Sequence, residues 1–214
     1  ATRANRLDLG KCGLTELPEE LFELVWLEEL VLSNEWLKFS FEKRCQIGFK
    51  SQNQGELNNI KFIPPNIKKL VGLKKLIASG EWRTKWKLND LSPLANLTNL
   101  KELDVSHTQV IDLNPLANLT NLKELDVSYT QVIDLNPLAD LTNLKELDVY
   151  NTLISDLSPL TNLTKLKQLS FSKTLISDLN SLVNLTNLNL LSFSNTSISD
   201  LSPLANLTDL NLLY

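Results

Sequence analysis

The residues of this 214-residue chain that are most able to do chemistry are carboxylates that recur in pairs every 22 residues. Paired carboxylates can exchange protons with a substrate or hold Ca²⁺. No apolar pocket can be inferred around them, and the glycine-rich turns that frame calcium loops are absent. Two interpretations stay open: a negative surface for a basic partner, or a solvent-facing pattern copied by duplication. The residues are Glu102, Asp104, Glu124, Asp126, Glu146 and Asp148.

Other reactive side chains are scarce. The chain has one histidine, His107, and two cysteines, Cys12 and Cys45, which lack metal-binding spacing. No nucleophile lies near His107 in the sequence, and no GxxxxGK[ST] phosphate loop occurs. We therefore expect no enzyme activity, metal or cofactor in this segment. Two free thiols favour a reducing cytoplasm, although a disulfide joining the cysteines stays an alternative.

The carboxylates are positioned by an internal repeat. Residues 100–121 and 122–143 differ only at two pairs of positions, His107/Tyr129 and Asn118/Asp140. Three further 22-residue units begin at Leu144, Leu166 and Leu188. We interpret residues 1–214 as one domain. Its parts are irregular repeats over 4–99 with an insertion near 38–60, five regular repeats over 100–209, and a partial repeat over 210–214.

Each unit predicts one coil of a solenoid. Leu103 and Val105 alternate with polar residues, which predicts a short strand with one buried face. Asn114-Pro115 resembles a helix cap followed by proline in the first turn, and the few residues that remain suit a 3₁₀ helix. The recurring aspartate at 112 should bond turn amides. Stacked coils predict a parallel sheet of about nine strands.

The consensus LxxLxLxxTxIxDLxPLxxLTN resembles the leucine-rich repeat in its 22-residue, internalin-like bacterial form. The resemblance implies an α/β solenoid with a curved parallel β-sheet on the concave face and 3₁₀ or irregular segments on the convex face. Threonine replaces the usual asparagine at positions such as Thr108, so we expect a thinner side-chain ladder between coils. Cys12 takes this interior turn position in the first unit.

The resemblance also implies a function. LPEELFEL and IPPNIKKL in the N-terminal units are similar to repeats of Roco-family proteins, in which such repeats precede a GTPase. It therefore implies a protein–protein interaction or scaffolding module. Because the chain starts without methionine and stops within a repeat, we expect a piece of a larger cytoplasmic bacterial protein. The alternative is an internalin-like surface adhesin that binds a host receptor.

Two groups of residues are candidates for partner contact. The net charge of −4 disfavours nucleic acid, and no apolar run is long enough to span a membrane. The concave-face group consists of Glu102, Asp104, His107, Glu124, Asp126, Tyr129, Glu146, Asp148 and Tyr150. The group near the insertions, a candidate contact with a partner or a neighbouring domain, consists of Trp36, Trp82, Arg83 and Trp86.

Overall fold

The computed structural model describes residues 3–40, 45–81 and 86–213, and its main element is a nine-stranded parallel sheet in the order β1-β2-β5-β6-β7-β8-β9-β10-β11. Strands β3 and β4 form a separate antiparallel pair. The strands are β1 (Arg6–Asp8), β2 (Glu29–Val31), β3 (Glu35–Ser40), β4 (Cys45–Lys50), β5 (Lys75–Ile77), β6 (Glu102–Asp104), β7 (Glu124–Asp126), β8 (Glu146–Asp148), β9 (Gln168–Ser170), β10 (Leu190–Ser192) and β11 (Leu212–Leu213).

A single apolar core runs through the stack. Leu103 and Val105 point inward from β6 and its end, and Leu113, Leu116 and Leu119 close the same coil; all five are buried. The same positions are buried in the three following coils, so each coil covers the apolar edge of its neighbour. In the last regular coil Leu201, the equivalent of Leu113, is 49% exposed. The predicted solenoid and its nine strands are confirmed.

Short 3₁₀ helices form the side opposite the sheet. The carboxylate of Asp112 accepts the N–H of Asn114 at 2.8 Å, so the predicted role of the recurring aspartate is confirmed. The predicted cap at Asn114 is wrong, because this residue is already helical and the carboxylate two positions earlier bonds its amide. The helices are Glu19–Glu23, Pro65–Lys69, Ser92–Leu94, Asn114–Leu116, Asn136–Leu138, Ser158–Leu160, Asn180–Leu182 and Ser202–Leu204.

The threonine column does not link the coils as expected. The Thr108 hydroxyl donates to the Val105 carbonyl of its own coil at 2.6 Å, and the later threonines repeat this bond. A hydroxyl on Cβ is too short to reach the next coil. The longer amide side chain of asparagine can reach the neighbouring coil. The amide of Asn121 donates to the Thr98 carbonyl of the preceding coil at 2.8 Å. Asn99, Asn143 and Asn187 make equivalent bonds.

Both extra segments of the sequence follow the same position of the coil. Regular coils place a residue with positive φ there, in the left-handed region; these residues are Lys11, His107, Tyr129, Asn151, Lys173 and Asn195. Asn34 and Gly80 hold this position in the other two coils, and each is followed in the sequence by extra residues, an excursion from the repeat. The first excursion covers 35–57, three residues earlier than predicted, and contains the β3–β4 hairpin.

Asn58 is the first residue of the solenoid coil after the hairpin segment. Its Oδ1 accepts the N–H groups of Cys12 at 3.1 Å and Leu14 at 2.8 Å. Its amide donates to the carbonyls of Leu9 at 2.7 Å and Leu32 at 2.8 Å. Asn58 is only 3% exposed, so these bonds tie two coils together inside the protein. Cys12 itself is exposed, contrary to the predicted interior position, and it is a free thiol.

Replacement of this asparagine should destabilise the N-terminal coils. We expect Asn58→Ala to lower the free energy of unfolding by about 3 kcal/mol, because it leaves buried N–H and C=O groups without partners. Urea unfolding followed by circular dichroism measures the change. Asn121→Ala is the matched control, since it removes one exposed bond and should cost less than about 1 kcal/mol. Equal losses in the two variants would contradict a special role for Asn58.

Candidate functional site: the concave groove

A groove of about 600 Å³ lies over the outward face of the sheet. Its floor is formed by side chains of β5 to β10, and the β3–β4 hairpin contributes Trp36 and Phe49 to its lining. The hairpin leaves the solenoid from a turn that follows a strand, so it lies at the carboxyl edge of the sheet. One groove therefore brings together the insertion and the regular repeats.

A row of three aspartates crosses the floor of this groove. Asp104 pairs in register with Asp126, and Asp126 pairs with Asp148. Adjacent strands lie about 4.8 Å apart, so the three carboxyl groups are near neighbours. Each aspartate carboxylate accepts a hydrogen bond from the backbone N–H two residues later, at 2.8–2.9 Å. The donors are Ser106, Ser128 and Tyr150.

These aspartates are harder to ionise than ordinary ones. Burial raises the pKa of Asp104, and burial raises the pKa of Asp148 to about 6. The pKa of Asp126 is raised well above its usual value by burial and then by the charges of Asp148 and Asp104 on either side. The shift is opposite at three exposed turns, where hydrogen bonds from Ser92, Ser158 and Ser202 lower the pKa values of Asp90, Asp156 and Asp200.

The negative charge of the floor is confined to three strands. Glu102 pairs in register with Glu124, which pairs with Glu146, beside the aspartate row. Lys75 on the preceding strand forms an ion pair with Glu102. After β8, the positions that align with these glutamates and aspartates are occupied by uncharged residues. They are Gln168 and Ser170 on β9, and Leu190 and Ser192 on β10. The acidic residues therefore form a band over β6–β8.

An aromatic row follows the carboxyl edge of this acidic band. The ring of Tyr129 stacks on His107 with centroids 4.1 Å apart and meets Tyr150 at 5.0 Å. Burial and a hydrogen bond with Tyr150 raise the pKa of Tyr129 to about 12. His107 is only 8% exposed and stacks on Tyr129, yet it also lines the groove, so its contact role stays a prediction. The ammonium of Lys173 lies 5.3 Å from the Tyr150 ring.

The second predicted group of contact residues is divided by the structure. Trp36 stacks on Phe49, its cross-strand neighbour in the hairpin, at 5.8 Å, and Phe49 is 43% exposed. Trp86 is only 1% exposed and packs in the core, which corrects its assignment as a surface contact. It occupies the turn position held by threonine in regular coils, which faces inward. Trp82 and Arg83 lie outside the described residues.

Phe49 is a groove residue that the sequence analysis missed. Its pairing with Trp36 depends on the antiparallel register of the hairpin, in which Glu35 pairs with Lys50 and Leu37 with Gly48. An aromatic residue at an equal distance on each side of residues 41–44 could have indicated this pairing. In the described ranges, no three His, Cys, Asp or Glu side chains are grouped closely enough to hold a metal ion.

Comparisons with known proteins agree with this architecture. A family model for leucine-rich repeats matches residues 120–162 and 142–184. The chain belongs to the leucine-rich repeat family, and internalins are among its structural neighbours. Internalin C2 of Listeria monocytogenes is 31% identical, with a TM-score of 0.81, over 98% of this chain and 80% of that chain.

Two longer bacterial proteins give similar matches. A Listeria monocytogenes internalin, InlF, is 28% identical with a TM-score of 0.75, over 92% of this chain and 50% of that chain. A leucine-rich repeat protein of Leptospira interrogans is 26% identical with a TM-score of 0.75, over 97% of this chain and 47% of that chain. The chain thus spans about half the length of these two.

A search of curated protein sequences finds no significant match. The described helices are all too short to cross a membrane.

The aspartate row should make stability depend on pH. Between pH 4 and 6 the folded protein retains protons that unfolded aspartates release, so this row destabilises the fold progressively as the pH rises. We expect Asp126→Asn to raise the free energy of unfolding by about 1–2 kcal/mol at pH 7.5 and by much less at pH 4. The asparagine oxygen can still accept the Ser128 N–H.

Urea unfolding at a series of pH values measures this difference. Asp140→Asn is the matched control, because it changes an exposed aspartate into the residue that the preceding repeat carries as Asn118. It should leave the pH profile unchanged. A gain for Asp126→Asn that is the same at pH 4 and pH 7.5 would contradict the shared burial of charge in the row.

Proposed function

We propose that this chain is a protein-interaction module that holds its partner in the concave groove. The observation that supports this proposal best is the meeting of three features in one concavity: the acidic band, the aromatic row and the hairpin. Aromatic side chains add large contact area at low entropic cost, and charged groups on the same surface select the partner. The leucine-rich repeat fold typically serves such non-catalytic binding.

Two settings for this module are proposed. The likeness to internalins favours a bacterial surface protein that binds a receptor on another cell. The N-terminal repeat sequences LPEELFEL and IPPNIKKL favour a larger cytoplasmic protein such as a Roco-type GTPase, in which the solenoid would regulate the catalytic domain or recruit partners. The surrounding gene distinguishes these settings: a signal peptide with a cell-wall anchor supports the first, and a phosphate-binding loop supports the second.

Peptide selection tests the binding surface itself. Phage-displayed random twelve-residue peptides can be selected on the full chain and then measured against variants by biolayer interferometry. We expect the selected peptides to lose at least about tenfold in affinity with Tyr150→Ser, because an aromatic contact of this size is worth about 1.4 kcal/mol or more. This substitution copies Ser128 of the preceding repeat.

The matched control lies outside the residues that line the groove. Leu175 is 62% exposed, and regular coils carry Gln109 or Gln131 at its position, so Leu175→Gln should leave peptide affinity unchanged. Peptides that bind Tyr150→Ser as tightly as the original chain but lose affinity for Leu175→Gln would overturn the concave groove as the binding surface.

A further inference from the structure

We propose that the part of the groove between the hairpin and the acidic band receives an arginine or lysine side chain from an extended segment of a protein partner. This inference rests on the proposed function and names the chemistry of the partner. The groove residues concerned are Trp36 and Phe49 on the hairpin and Asp104, Asp126 and Tyr129 on the solenoid.

Charge is the first support. Among the described residues that line the groove, eight are carboxylates and one, Lys75, is a cation. The side chain of Lys75 forms an ion pair with Glu102, and carboxylates outnumber cations among the described residues of the lining. A bound cation would lie near several carboxylates at once, and it would favour their ionised forms against the burial that opposes ionisation.

The aromatic side chains are the second support. The face of an aromatic ring attracts a cation, and arginine is the side chain that most often stacks on one. This chain already places two of its own cations on rings: the Lys173 ammonium lies over Tyr150, and the Arg3 guanidinium lies 4.2 Å from the centre of the Trp26 ring. The ring of Tyr150 belongs to the aromatic row itself. Aromatic rings beside carboxylates thus favour a cationic side chain that has a planar charged group or an apolar stem.

The hairpin is the third support. Trp36 and Phe49 stack side by side and line the groove, and Phe49 remains 43% exposed. An arginine or lysine side chain carries several methylene groups before its charge, and such stems pack on apolar surfaces while the charged end reaches polar groups. The hairpin aromatics can pack against the stem while the aspartates bind the charge. A bare metal ion or a nucleic acid phosphate would not use this combination.

A pair of short peptides tests this inference on the full chain. The probe is the acetylated, amidated peptide Thr-Val-Arg-Val-Thr, whose β-branched residues favour an extended backbone. Its control contains citrulline, which has the shape of arginine without the charge. Titration is followed by ¹H–¹⁵N NMR shifts at low ionic strength. We expect the arginine peptide to bind at least about fivefold more tightly, with the largest shifts at Asp126, Tyr129 and the Trp36 indole.

Variants place the binding site. Asp126→Asn and Trp36→Ala should each weaken the arginine peptide by about threefold or more. Asp126→Asn should leave the citrulline peptide nearly unchanged, whereas Trp36→Ala should weaken it too, because citrulline keeps the stem that packs on the indole. Phe49→Ala is a second hairpin variant, and thermal unfolding verifies that each variant is folded. Asp140→Asn and Leu175→Gln are matched controls that should bind as the original chain does.

The outcomes separate this inference from the proposed function. Equal affinity for the arginine and citrulline peptides, or shifts confined to residues outside the groove, would overturn the cation site. Phage-selected peptides that depend on Tyr150 but not on arginine or lysine would overturn it too, and the concave groove would still stand as the interaction surface. Selected peptides that do not depend on Tyr150 would count against the proposed function itself.

Discussion

The structure depends on one constraint: an isolated coil cannot bury its apolar side, so every coil must pack in register on the next. Leu103, Leu125 and Leu147 therefore align along the sheet at the spacing of parallel strands. The same register aligns whatever faces outward. Each of Asp104, Asp126 and Asp148 follows one of these leucines, so the aspartates are aligned in a row by the same register. The raised pKa values in that row are an electrostatic consequence of apolar packing.

The turn after each strand is where a coil can differ from its neighbours without disturbing the core. In regular coils this turn uses a left-handed residue, and a bulky side chain such as that of Tyr129 projects there toward the groove. In two coils extra residues follow this position in the sequence, and the next residue of the coil, Asn58 or Trp86, is buried. Aromatic contacts and insertions thus gather at one edge of the sheet, which gives the groove its asymmetric lining.

The features that the sequence analysis missed share a cause. Trp86 sits among basic residues in the sequence and resembles an exposed contact, but the excursion at Gly80 shifts it into the inward column, where it is buried. His107 and Tyr129 occupy equivalent positions in nearly identical repeats, yet their rings stack and His107 is only 8% exposed. The sequence of a single repeat does not show which residue returns to the inward position after extra residues. It also does not show which side chains stack on one another between adjacent coils.

The sequence by itself determined the solenoid, its parallel strands, the 3₁₀ turns and the identity of the acidic columns, because a 22-residue apolar period permits few other ways to bury its leucines. The tertiary structure alone decided that the hairpin shares a groove with the acidic band and that Asn58 joins two coils. These contacts join residues that are far apart in the chain and outside the repeat, so no local period encodes them.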